Sequence, residues 1–486
     1  MSQVDIKQKA VKGMFWSFCE RFGSLLILFV ANVVLARMLS PEEFGLVGIL
    51  MAFVMMSQIL IDGGLGNALI QRQNITKADS STVFFTNVIV AVVCYLALFF
   101  CADTIALFYD QPLLSDLLKV LGIVVVIDAF GAVQNNLLMK NIDFRRITIV
   151  KVGAALLSTI VAIVAAIYGA GVWALVLQYV VNSIVKSSLL WLLSSWRPIM
   201  VFSGTSFKVL FGYGSKLLLA NVLSEAYKEL QILVIGKFFP KAEVGYYSQA
   251  KHLQMVPIST IVTVVNQVTF PVFSKIQDDK ALLERGLSRS LKILTFLNFP
   301  LMMCLAVIAQ PIFMLLFGEQ WLPAVPYFQW LCAGFGLLLV IHNTNLNALK
   351  AVGKSDIVLY LEIIKKVLGL GMIFMFIYLG YGAISILWAL AINSFIEFFL
   401  NGYFTGKYTG YGIIKQLKDI LPNLLVTAIA SVVAYSFSYI ADIHYILMML
   451  LQSICFVSVY LLIMKLAKVE VFNYILVEIK SKLKKK

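Results

Sequence analysis

Several charged residues stand inside long apolar runs. Glu20 and Arg21 are neighbours in a run near 14–38, and Glu225, Lys228 and Glu229 lie in another near 212–235. In a helix Glu225 shares one face with Lys228, three residues on, and with Glu229, four residues on. Lys251 and His252 follow in the next run, and Asp128 is central to an earlier one. Ionised groups in hydrocarbon are costly, so they face a water-filled cavity or a partner. Two chemistries are open to these. Arg21, Lys228 and Lys251 offer point or forked cations to a phosphate or an acidic sugar, while Glu20, Glu225, Glu229, Asp128 and His252 would help release that ligand or couple its movement to H+ or Na+. Alternatively the charges pair with one another and hold helices together.

Other polar groups in the runs invite a plainer reading. Glu362 with Lys365 and Lys366, and likewise Lys186, Glu397, Asp62 and Lys151, lie near run ends, where long side chains can snorkel to the interface. Asn182 and Asn393 suit hydrogen bonds between helices. His342 is a lone histidine with either a structural or a proton-linked role. Pro257, Pro271, Pro300 and Pro311 remove backbone bonds and predict kinks.

Enzyme chemistry finds little to stand on. The six cysteines show no C-x-x-C spacing and there is no histidine cluster, so no metal site and no cofactor are expected. Gly353-Lys354-Ser355 lacks the upstream glycine of a Walker A loop, since position 348 is Ala. The longest outward connection, 102–115, is short for the acid/base machinery of a polytopic glycan-transferring enzyme.

The elements that position these charges follow from composition. With 61% hydrophobic and 13% charged residues, the chain has more apolar surface than a water-soluble globule can hide. The apolar residues fall in runs of roughly 20, enough to cross about 30 Å of hydrocarbon as helix. Fourteen such runs are read, near 14–38, 44–66, 81–102, 116–138, 147–167, 172–194, 212–235, 244–274, 291–317, 324–348, 356–379, 382–403, 419–440 and 445–467. The net charge of +14 sits in loops and tails rather than in a nucleic-acid stripe. Every second connection is basic, from Lys7, Lys9 and Lys12 through Arg145 and Arg146 to the lysine tail at 480–486, which predicts that both termini are cytoplasmic. That tail reads as a topology anchor or as a recruiter of anionic lipid.

The chain also repeats itself. LARMLSPEEFGLVG (35–48) aligns without gaps on IGKFFPKAEVGYYS (235–248), pairing Gly45 with Gly245. YGAGVWALVLQYVVNSI (168–184) aligns on LGYGAISILWALAINSF (379–395), pairing Gly169 with Gly380, Asn182 with Asn393 and Ser183 with Ser394. Offsets of 200 and 211 residues give a parallel repeat of six helices, with two more at the end. The expected divisions are residues 1–200, 201–410 and 411–486.

This layout resembles the multidrug/oligosaccharidyl-lipid/polysaccharide exporter superfamily. Within it, GMFWSFCERFG (13–23), LARMLSPEEFGLVGIL (35–50), DGGLGNALIQR (62–72) and STVFFTNVIV (81–90) resemble the polysaccharide-transporter branch, the Wzx-type flippases, and among these the colanic-acid and teichuronic-acid exporters. The resemblance implies movement of an undecaprenyl-pyrophosphate-linked glycan across a bacterial inner membrane by alternating access. It also implies membrane lipids, a polysaccharide polymerase and glycosyltransferases as partners, and no nucleic acid. Relatives that extrude drugs use intramembrane carboxylates, and a multidrug and toxin extruder is therefore the competing expectation.

Overall fold

A computed structural model describes residues 3–62, 64–72, 75–439, 444–469 and 471–472. The side chains of 3–14 and of some helical positions, Asp62 among them, lie outside the description, as do residues 473–486 with the lysine tail. The described residues are helical or lie in short connections, with no strand. In chain order the helices are α1 (Gln3–Met38), α2 (Pro41–Asp62), α3 (Leu65–Gln71), α4 (Lys77–Phe108), α5 (Leu113–Leu121), α6 (Ile123–Lys140), α7 (Phe144–Ile167), α8 (Val172–Leu193), α9 (Gly204–Phe238) and α10 (Lys241–Lys275). They continue as α11 (Lys280–Val307), α12 (Ala309–Leu316), α13 (Val325–Trp330), α14 (Leu337–Ala351), α15 (Ser355–Tyr378), α16 (Ser385–Thr409), α17 (Ile413–Tyr435) and α18 (Tyr445–Leu466). Ten helical stretches among the described residues are long and apolar enough to cross a membrane. The other expected spans are helical too, at α5 with α6, α9, α10 and α15. By packing, the chain divides into two units, residues 1–245 and 246–486.

In the first unit helix starts are written in the sequence. Ser40 and Glu43 form a reciprocal pair at the start of α2: the Ser40 N–H donates to Glu43 Oε2 at 2.8 Å and the Glu43 N–H to Ser40 Oγ at 3.3 Å. Thr76 and Asp79 repeat the device at α4. Between α2 and α4 lies the short α3, which the apolar pattern does not show. Gly64 precedes it with φ +69°, and a methyl there would run into the backbone of Gly214 on α9. Lys140 ties α3 to the end of α6, donating to the carbonyls of Leu69 (3.1 Å) and Arg72. Burial and the neighbouring Arg72 hold its ammonium below the usual lysine range. At the repeated turn, a methyl on Gly45 would strike the Lys241 carbonyl and one on Gly245 the Pro41 carbonyl, so the two paired glycines let backbones meet.

In the second unit the apolar runs are interrupted in physically specific places. The expected helix 291–317 breaks at Ile308, three residues before Pro311, whose missing N–H takes one backbone bond out of that turn. By contrast α10 runs through Pro257 and Pro271, and α11 through Pro300. The expected helix 324–348 contains a π-helical turn, Leu331–Gly336, whose backbone groups are taken up by neighbouring amides. Gln254 donates to the Leu331 carbonyl at 2.8 Å, and Asn298 to those of Gly336 (3.0 Å) and Leu337 (3.1 Å). Hydroxyls inside the helices largely bond back one turn, as Thr295, Thr344, Thr427 and Ser431 do, which makes them tolerable in an apolar setting. The core joins Phe273, Leu287, Leu291, Phe299 and Val340. The last two helices pack as a pair on α11, burying Phe296, Ala430, Phe456 and Tyr460, and the Tyr460 hydroxyl donates to the Phe296 carbonyl at 3.0 Å.

Candidate functional site

Four helices of the first unit place polar groups around one pocket of about 370 Å³: Gln58 from α2, Asp128 and Asn135 from α6, Lys151 from α7 and Lys186 from α8. Asp128 is its centre. Its Oδ1 lies 2.8 Å from the Lys186 ammonium and accepts from Ser183 Oγ at 2.7 Å, and its Oδ2 accepts from Gln58 Nε2 at 3.1 Å. Lys151 reaches across to Glu20 on α1, Nζ to Oε1 2.8 Å. Asn182 donates to Ser158 Oγ at 3.3 Å, the bond between helices that its type suggested. The pocket thus has donors and acceptors in near balance, with each ammonium already facing a carboxylate. Such a lining suits hydroxyl-rich ligands or the exchange of one cation.

The second unit carries a counterpart at the register the repeat predicts. Ser394, paired with Ser183, lies 3.0 Å from His342 Nε2, and Glu397, three residues on as Lys186 is from Ser183, lies 3.8 Å from the same nitrogen. Acid and base have changed places: Asp128 faces Lys186 in one unit, and His342 faces Glu397 in the other. Lys365 completes the group, 2.6 Å from Glu362 and 3.9 Å from Glu397, and Lys366 stands 3.8 Å from Glu362. Asn393 donates to Glu397 at 2.9 Å within its own helix, unlike its partner Asn182.

Lys186, Glu397 and Lys365 read in the sequence as residues near run ends, and the structure places them in ion pairs within the helix packing. Lys365 does not snorkel, for its side chain is 3% exposed, because its charge is met inside the helix packing by two carboxylates. The signal that was available is the repeat itself: positions 186 and 397 occupy one register with opposite charge.

The remaining expected residues lie elsewhere. On α9, Lys228 donates to Glu225 at 2.8 Å, and Glu229 is half-buried one turn along from Glu225. Arg21 is exposed on α1 beside Glu20. Lys251 lies 5.5 Å from the ring centre of Tyr247 on α10, with the exposed His252 next to it. The structure therefore joins Glu20 to Lys151, Asp128 to Lys186 and Glu225 to Lys228. Among the described residues no group of three or more His, Cys, Asp or Glu could hold a metal ion.

The fold and this distribution of polar groups define the class. The chain is a multi-pass bacterial membrane protein, and its fold is similar to that of the lipid II flippase MurJ, solved in an inward closed conformation (TM-score 0.75, 16% identity, 93% of this chain and 99% of that one). It is also similar to an inward-facing multidrug resistance transporter of the MATE family (TM-score 0.60, 16% identity, 83% and 94%). Residues 34–326 match the model of the polysaccharide biosynthesis protein family, and the chain belongs to that family. Among relatives, it is 26% identical to the teichuronic acid biosynthesis protein TuaB of Bacillus subtilis over 89% of this chain and 90% of that one. It is 27% identical to the succinoglycan biosynthesis transport protein ExoT of Rhizobium meliloti (78% and 76%) and 27% identical to the lipopolysaccharide biosynthesis protein WzxC of Escherichia coli (75% and 74%).

Proposed function

We propose that this protein is a flippase that moves an undecaprenyl-pyrophosphate-linked oligosaccharide from the inner to the outer leaflet of the bacterial inner membrane, by alternating access, for surface polysaccharide synthesis. The observation that carries the proposal is that relatives named for polysaccharide biosynthesis and transport cover most of the chain, on a fold shared with a lipid-carrier flippase. In this reading the chain crosses the membrane fourteen times, as two six-helix lobes and a final pair, with both termini cytoplasmic. It transports and does not catalyse, uses no cofactor, and hands its cargo between glycosyltransferases and a polymerase.

Arg21, Lys228 and Lys251 are assigned to the pyrophosphate or to acidic sugars. The Glu225 carboxylate beside Lys228 competes with a phosphate for that ammonium and lets it exchange the ligand without holding it fast. Glu20, Glu229, His252 and Asp128 are assigned to coupling with H+ or Na+. The competing reading, a cation-coupled drug extruder, draws on the MATE-like fold. Deleting the gene separates the two: loss of a surface glycan supports the flippase, whereas drug sensitivity with intact glycan supports the extruder. Arg21→Ala and Lys228→Ala are expected to leave the protein in the membrane but strand lipid-linked repeat units in the inner leaflet. Unchanged glycan export in both variants would remove the assignment of these cations.

A further inference from the structure

A cavity of about 560 Å³ lies in the second unit at the first turns of α11 and α17, lined also by Val471 beyond α18. Arg285, Arg289 and Lys292 line it from one face of α11, spaced four and three residues apart, and Lys415 and Lys418 line it from α17. Two carboxylates accompany these five cations, Glu284 and Asp419, and both serve the wall. Lys415 Nζ is 2.6 Å from Glu284 Oε1. Asp419 Oδ2 accepts from Ser288 Oγ at 2.5 Å and from the Tyr411 hydroxyl at 2.6 Å, and its Oδ1 lies 3.5 Å from the Lys292 ammonium. Burial together with Asp419 holds the Tyr411 phenol well above the usual range, which keeps it a donor. Among the described lining residues cations therefore exceed carboxylates by three.

The frame behind them is fixed. Asn423 on α17 donates to the Lys292 carbonyl at 3.1 Å and to Thr295 Oγ1 at 2.9 Å, and Asn345 and Gln416 exchange two bonds of 3.0 Å. The amino end of α17 adds its own partial positive charge, since Gly412 supplies no side-chain cap. Both helices belong to stretches long and apolar enough to cross a membrane, and the charged first turns of such a span belong at the headgroup level.

We propose that this cavity binds the phosphate headgroup of an anionic membrane lipid. Clustered Lys and Arg between crossing helices are suited to that ligand, and the preorganised wall lets the site hold one headgroup in place of a diffuse lipid atmosphere. If the cytoplasmic orientation proposed above holds, the lipid is one of the inner leaflet; the binding itself does not depend on the transport reading.

The test uses the full-length protein in nanodiscs of phosphatidylcholine with phosphatidylglycerol titrated in, and native mass spectrometry to count retained lipids. Wild type should retain phosphatidylglycerol in preference to phosphatidylcholine. Arg285→Gln/Lys418→Gln should weaken that preference about tenfold or more, and Arg285→Lys/Lys418→Arg should restore it at unchanged thermal stability. A second arm adds inorganic pyrophosphate in phosphatidylcholine alone: binding there that the same variants weaken, without lipid preference, keeps the phosphate chemistry and reassigns its source to a soluble anion. Preference unaltered by the glutamine variant, or no binding of either probe, would overturn the proposal.

Discussion

Asp128 shows how much one side chain can organise. It collects a lysine, a serine and a glutamine from two other helices. Removing it leaves Lys186 half-buried without its carboxylate, so Asp128→Ala is expected to destabilise the solubilised protein by about 1–3 kcal/mol. Removing both partners should cost less than the sum of the single losses, with a coupling of about 0.5–3 kcal/mol, read from thermal melts of the two single variants and the double. Strict additivity would mean that the pair contributes nothing. The sequence placed Asp128 inside a span and left a cavity or a partner open to it, because a carboxylate bare in hydrocarbon is untenable. Which partner it has was not legible there, since Lys186 is 58 residues on and its contact depends on how α6 meets α8. His342 illustrates the same limit: its neighbours Ser394 and Glu397 become visible only when the second half of the chain is laid on the first.

At the scale of elements, the apolar runs told where helices lie more reliably than where they stop. Length and hydropathy locate a span, but they do not register α3, the break at Ile308 or the π-helical turn at Leu331–Gly336, because a short stretch of altered backbone leaves composition unchanged. Glycine and buried amides are the better markers. Gly64→Ala combines a left-handed backbone with a collision against Gly214, and is expected to cost about 1–3 kcal/mol; a melting temperature equal to wild type would contradict that packing. Asn298→Leu keeps the volume but releases the Gly336 and Leu337 carbonyls, and should cost a similar amount, about 1–3 kcal/mol. It should also speed hydrogen exchange in 331–337, an effect that a general loss of stability would spread over the whole unit.

For the whole molecule, the sequence made the membrane class and the repeat plain, because both are averages over many residues. Its candidate site was half legible: the charged positions stood out, but their pairings required coordinates. Flipping a lipid-linked glycan is the central activity proposed for the molecule. It is tested most directly with purified protein in proteoliposomes carrying a fluorescent undecaprenyl-pyrophosphate-linked oligosaccharide in one leaflet, by following the fraction that becomes accessible to a membrane-impermeant quencher on the other side. Transfer well above that of protein-free vesicles, lost in Lys228→Ala, is the expected result. Transfer no faster than in protein-free vesicles, from correctly folded protein supplied with its own glycan and with a proton or sodium gradient, would contradict it.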